Sequence, residues 1–235
     1  MTEFKKKLLN TLSILKKIPE IIIIGSEVPN ILSLSNDIDD SNLFVSQDID
    51  IGIPVKLADN VKFYLTYLEQ YYTKSIFEPS VFLPNTEEYL EINFLGIDKR
   101  LYNFDEVYIY DNDNLSFMVF GNLSLIESQR IIVDGNELNI AEPISLIFEK
   151  LLSERNYIKI ERDLYVVALL LKNVSIDYLK NRISEISKKL DKERKLLILD
   201  NLILMDSILL KLEKTELIQI KVKEFLRFIK NEFGI

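Results

Sequence analysis

The sequence Ile21-Ile22-Ile23-Ile24-Gly25-Ser26, followed after a polar stretch by Asp48-Ile49-Asp50-Ile51, decides how the rest of the chain is read. Four consecutive β-branched residues with no polar neighbour predict a strand buried on both faces. Gly25-Ser26 turns the chain out of that strand, and Pro29 suits the first turn of a short helix reaching about Leu34. A loop rich in Asp, Asn and Ser over 35–42 leads to a second strand over 43–53, which Pro54 closes. Because side chains alternate along a strand, Asp48 and Asp50 fall on one face.

Working outward, Phe4, Leu8, Leu12 and Leu15 recur at helical spacing and predict an amphipathic helix over 2–17, ended by Ile18-Pro19. Val61, Leu65 and Leu68 do the same for 57–72. Between 75 and 141 the pattern changes to short extended segments at 81–83, 89–95, 107–110 and 115–120, then a hairpin of 131–133 with 138–140 around Asp134-Gly135. In the second of these, Leu90, Ile92 and Phe94 share one face while Glu91 and Asn93 share the other. Pro143 opens an all-helical region whose first helix carries Ile144, Ile147, Phe148, Leu151 and Leu152. The next, over 159–172, has no charge between Leu164 and Leu171, which predicts the buried axis of a small bundle. Three more helices follow at 175–190, 191–214 and 215–233. The expected class is α+β: a mixed sheet with flanking helices over 1–141, then a helical bundle over 142–235.

Composition narrows the chemistry. The chain has 235 residues, 48% of them apolar, with no cysteine and no histidine. Disulfides, thiolate metal sites and imidazole catalysis are therefore excluded, and catalysis must rest on carboxylates, lysine, hydroxyls or a hard, oxygen-seeking cation. The most apolar region, 196–212, is broken by Asp200, Asn201 and Asp206, well short of the roughly 20 apolar residues of a membrane span. The lysine-rich amphipathic start does not read as a secretory signal, so no membrane partner and a cytoplasmic location are expected. Up to residue 140 there are 11 basic and 22 acidic residues, a net −11; after it there are 18 and 15, a net +3. An acidic half beside a mildly basic one is compatible with metal binding in the first and phosphate contact in the second, or with ordinary solvated faces.

Two residues apart on a strand, Asp48 and Asp50 stand about 6.6 Å apart along it. At an effective dielectric of about 20 they repel by roughly 2–3 kcal/mol, and aspartate is in any case disfavoured in strands. A divalent cation explains the pair most simply, since Mg2+ takes one or two carboxylates and completes its shell with phosphate oxygens and water. An exposed edge-strand pair is the plain alternative. Gly25-Ser26 stands where a helix begins, so its backbone N–H groups and the helix dipole suit a phosphate, as they also suit an ordinary strand-to-helix turn. Glu91 is available as a third carboxylate.

In this order, the strand, Gly25-Ser26, the helix, Asp48-Ile49-Asp50 and a later strand acid resemble the nucleotidyltransferase superfamily. The wider resemblance is to its minimal and abortive-infection toxin-type members, whose hairpin, proline and lysine-bearing helix are echoed by 133–140, Pro143 and Lys150. Their later charged cluster resembles Arg155, Lys159 and Arg162-Asp163-Leu164-Tyr165. The third acid here is a glutamate, and Glu27 brings a carboxylate into the turn. The resemblance, over about 18–172, implies a small mixed sheet followed by a helical domain. It also implies transfer of a nucleoside monophosphate from a nucleoside triphosphate to a hydroxyl on a protein, an RNA or a small molecule. Asp48, Asp50 and Glu91 would bind two Mg2+ ions, and Glu91 would assist deprotonation. Gly25, Ser26, Lys150 and Arg162 would hold the nucleotide.

Other readings stay open from the sequence. The same fold without turnover would be a nucleotide-binding or protein-interaction module, and a glycosyltransferase would also use Asp-x-Asp, though it lacks the upstream Gly-Ser turn. Tyr64, Tyr67, Tyr71 and Tyr72 are either base-stacking or core residues. Ile218, Val222, Phe225, Leu226 and Ile229 form either a bundle face or a homodimer face.

Overall fold

In the computed structural model, which describes residues 2–36, 45–112, 115–153, 157–209 and 216–234, the isoleucine run becomes a three-residue strand, β1 (Ile22–Ile24), inside a sheet. All three side chains are buried, as a strand with neighbours on both sides and no polar face requires. Helix α1 (Glu3–Leu15) precedes it, and a single 3-10 turn, Gly25–Glu27, links it to α2 (Val28–Ser35). Then come β2 (Asp48–Pro54), α3 (Ala58–Leu68), β3 (Tyr72–Lys74), β4 (Val81–Pro84), β5 (Glu91–Ile97), β6 (Val107–Asn112), β7 (Leu115–Phe120), β8 (Ser128–Val133) and β9 (Asn136–Ala141). The sheet is mixed and open, in the order β3-β4-β5-β2-β1-β9-β8, with β7 also on β5 and β6 on β7.

Strand β1 runs antiparallel to β2 and parallel to β9, while β2 and β5 run parallel in register from Asp48↔Glu91 to Pro54↔Ile97. Ile49, Ile51 and Ile53 of β2 are buried with Ile92 and Phe94 of β5, as are the stripes of α1 (Leu8, Leu12, Leu15) and α3 (Val61, Leu65, Leu68). The backbone N–H of Leu90 donates to Thr11 Oγ1 at 2.9 Å and ties α1 to the head of β5. The free edge of β5 is shared: β4 pairs with it at Ile92 and Asn93, and β7 at Leu95 and Gly96. That fork depends on Gly96, where a Cβ would sit 2.5 Å from Val119 Cγ2 and 2.8 Å from Phe117 Cε2.

Three expectations are corrected. The helix expected over 57–72 ends at Leu68, and Tyr72–Lys74 pairs with β4 instead. Tyr72 is 1% exposed and packs beside Tyr89, so burial of one aromatic ring decides this segment and removes Tyr72 from any base-stacking role. The second strand begins at Asp48 rather than 43, because its neighbour β5 begins at Glu91, whose N–H reaches Gln47 O at 3.0 Å. Most of the polar loop, 37–44, lies outside the described residues, as do Arg155 and the junction of the last two helices. Asp134 and Gly135 do turn the β8–β9 hairpin, both with positive φ.

The chain divides into two compact units, Met1–Ala141 and Glu142–Ile235. The second contains α4 (Pro143–Leu152), α5 (Tyr157–Asn173), α6 (Ile176–Ser187), α7 (Lys192–Leu209) and α8 (Glu216–Phe233). The Glu142 side chain caps α4 by accepting from the N–H groups of Ile144 and Ser145 at 3.1 and 2.8 Å. Every residue of α4 is buried, whereas Tyr165 and Leu169 of α5 are only half-buried, so α4 and not α5 is the most enclosed helix described. It touches α5, α6 and α7, and Phe148 meets Phe225 of α8. Val222, Phe225 and Ile229 are fully buried within the chain, so they are not left over as a dimer face. No described helix is long and apolar enough to cross a membrane.

Replacing Gly96 with alanine is expected to cost about 1–3 kcal/mol by overpacking against Val119 and Phe117. The check is the urea unfolding midpoint, which falls while the slope of the transition stays constant.

Candidate functional site

Registry brings the predicted acids together. Asp48 lies opposite Glu91, Asp50 lies opposite Asn93, and across the other edge of β2 Asp50 lies opposite Ile24. The last residue of β1 therefore pairs with Asp50 near the start of β2, whose other edge pairs with the start of β5. Residues paired in a sheet share a face, and Asp48, Asp50, Glu91 and Asn93 are all half-buried, alternating with the buried Ile49, Ile51, Ile92 and Phe94.

Hydrogen bonds orient both aspartates. Ser46 Oγ donates to Asp48 Oδ1 at 2.6 Å, Asn93 Nδ2 to Asp50 Oδ1 at 3.0 Å, and Ser80 Oγ to Asn93 Oδ1 at 3.1 Å. Gly25 follows directly with φ +80°, and a Cβ there would lie 2.6 Å from Asp50 Oδ2. Glycine is required twice over, for the left-handed backbone and for the close approach of the carboxylate. Ser26 is buried in the turn, and Glu27 is wholly buried, its Oε2 accepting from Asn30 Nδ2 at 2.8 Å. One oxygen of Glu27 is thus bonded to the first turn of α2.

Burial and then the charges of Asp48, Glu78 and Asp50 push the Glu91 carboxyl above its ordinary range. The group holds its proton more tightly because ionising it adds a charge to a face that already carries two. Among the described residues no three acidic side chains converge closely enough to hold an ion between them as they stand. In kind, the donors fit a hard cation: they are all oxygens, they share one face, and a cation would relieve the repulsion recorded at Glu91.

Lys150 and Arg162 belong to the helical unit. Helical spacing sets Lys150 off the apolar stripe, yet it is 8% exposed, with Nζ 3.4 Å from Glu149 Oε2 and 3.5 Å from Asp163 Oδ1. Asp163 is buried too, and Arg162 beside it is exposed. Asn93, Ser46 and Ser80 were not among the residues singled out from sequence. For Asn93 the signal was present, since it shares the outward face of β5 with Glu91. Ser80 gave none, because only the β4–β5 pairing carries it to Asn93. No protein-family model matches this chain, and no curated protein matches it.

Two outcomes follow from these environments. A carboxyl with a raised folded pKa makes its full contribution to stability below its unfolded value, about 4.3, and loses it as pH rises through the folded value. In chelator, Glu91→Gln should therefore melt above wild type at pH 8, with the difference closing toward pH 4 in a thermal-melt series. In the helical unit, Lys150→Ala removes a buried cation from beside Glu149 and Asp163 and should cost about 3–5 kcal/mol in denaturant unfolding.

Proposed function

We propose that the chain is a Mg2+-dependent nucleotidyltransferase, with the acids of β2 and β5 as its catalytic centre. The observation that carries this reading is the registry of Asp48 with Glu91 and of Asp50 with Asn93 on one face of β2 and β5, with the Asp50 carboxylate close against the positive-φ Gly25.

Asp48, Asp50 and Glu91 would hold the metal, which when bound supplies charge neutralisation and alignment of a triphosphate. Gly25 and Ser26 would accept the β and γ phosphates on backbone N–H groups at the start of the turn into α2. An acceptor hydroxyl oxygen forms a bond to the α-phosphorus, and the bond from that phosphorus to the α,β-bridging oxygen breaks. Pyrophosphate leaves with the electron pair, and the hydroxyl proton passes to the Glu91 carboxylate, the acid nearest in register to Asp48. Ser46 and Asn93 act as positioning residues, holding one oxygen of each aspartate.

A nucleotide-binding module without turnover is the second reading, favoured by the finding that no three described acids converge on one point. Calorimetry separates the two, since the module binds triphosphate with Mg2+ and releases no pyrophosphate. For the enzyme, Asp48→Asn combined with Asp50→Asn is expected to lower Mg2+-dependent pyrophosphate release by about 100-fold or more. Unchanged release would overturn the assignment.

A further inference from the structure

The β3–β4 turn ends at Ser80, which bonds Asn93 on the acidic face, and carries two large apolar side chains into solvent: Ile76 is 88% exposed and Phe77 is 87% exposed. Single exposed apolar residues are ordinary, but this adjacent pair sits on a braced turn at a candidate active site. Ser75 Oγ accepts from the N–H groups of Phe77 and Glu78, each at 3.2 Å. Ser75 N–H reaches Val81 O at 2.8 Å, Val81 N–H reaches Glu78 O at 2.9 Å, and Phe94 N–H reaches Ser80 O at 2.9 Å.

The reason the turn leaves the sheet is the fork in β5. Beyond Asn93 the edge of β5 belongs to β7, so the connection between β3 and β4 has no ladder to join. It leaves on the side of the acids, where Ser80 Oγ bonds Asn93 Oδ1, on the same strand face as Glu91. On β4, Leu83 is 43% exposed while its neighbour Phe82 is buried, which extends the apolar strip from the turn along the sheet.

Charge selects what this strip can hold. From Leu68 to Gly96 the chain carries five acids, Glu69, Glu78, Glu87, Glu88 and Glu91, against the single Lys74. Binding a polyanion depends on neutralising its phosphates with Lys and Arg, and here acids outnumber Lys74 five to one, with Lys6 of α1 added beside Glu88. An apolar strip set among carboxylates instead complements a polypeptide with apolar side chains interspersed with Lys or Arg.

We infer that Ile76, Phe77 and Leu83 form the docking strip for the acceptor, and that the acceptor is a basic polypeptide segment presenting a Ser, Thr or Tyr hydroxyl. The acceptor role rests on the nucleotidyltransferase reading; the docking itself does not. The experiment is fluorescence anisotropy of the full chain, without nucleotide, against three labelled probes. These are a short Lys/Arg-rich peptide with a central Leu-Ser-Phe, the same peptide with Glu at the basic positions, and a single-stranded RNA of similar length.

The basic peptide should bind at least about tenfold more tightly than the other two, and Ile76→Ser with Phe77→Ser should weaken it by about tenfold or more. Should that variant lose its fold, the exposed Glu78→Lys variant carries the test, with an expected loss of preference for the basic probe. Tighter binding of the RNA, or basic-peptide binding indifferent to both variants, overturns the inference. Pyrophosphate release is measured separately. Peptide binding without release sinks the enzyme reading alone, whereas release without peptide binding sinks this inference alone.

Discussion

The parallel pairing of β2 with β5 carries both the sheet and the candidate site. Buried Ile49, Ile51, Ile92 and Phe94 fill one face of the two strands, and that burial sets the register because a slip of one residue would turn every side chain to the wrong face. With the register set, Asp48 must face the same way as Glu91, and Asp50 the same way as Asn93. The apolar face thus decides the geometry of the polar one.

That arrangement has an electrostatic cost, and the surrounding side chains reduce it. Ser46 and Asn93 each donate to an aspartate, and Ser80 in turn donates to Asn93. At Glu91, burial and then the neighbouring carboxylates push the carboxyl above its ordinary range. The same principle operates in the helical unit with opposite sign: Lys150 lies buried near both Glu149 and Asp163, where an isolated cation would be expensive. A lysine set off an apolar stripe is therefore not always a solvated one.

Much of this was legible in the residues. Four isoleucines with no polar partner mark a central strand, glycine after them marks its end, and alternation alone puts Asp48 with Asp50 and Glu91 with Asn93. The hairpin around Asp134-Gly135 and the helix opened by Pro143 were equally readable. Less so was Tyr72, where a helical stripe runs into a residue that goes to a strand because its ring is buried beside Tyr89. The periodicity of one segment holds no information about a pairing partner ten residues further on.

By itself, then, the sequence determined the buried strand, the turn at Gly25, the two acidic strands and the succession of a β-rich half by a helical one. Each of these follows from local sterics or from a period of two or 3.6 residues. Only the tertiary structure decided that Asp48 stands opposite Glu91, that Gly25 packs on the Asp50 carboxylate, that Lys150 is enclosed and that Ser80 bonds Asn93. The physical reason is the same in each case: register, close approach and burial belong to pairs of segments distant in the chain, and no one segment's pattern contains them.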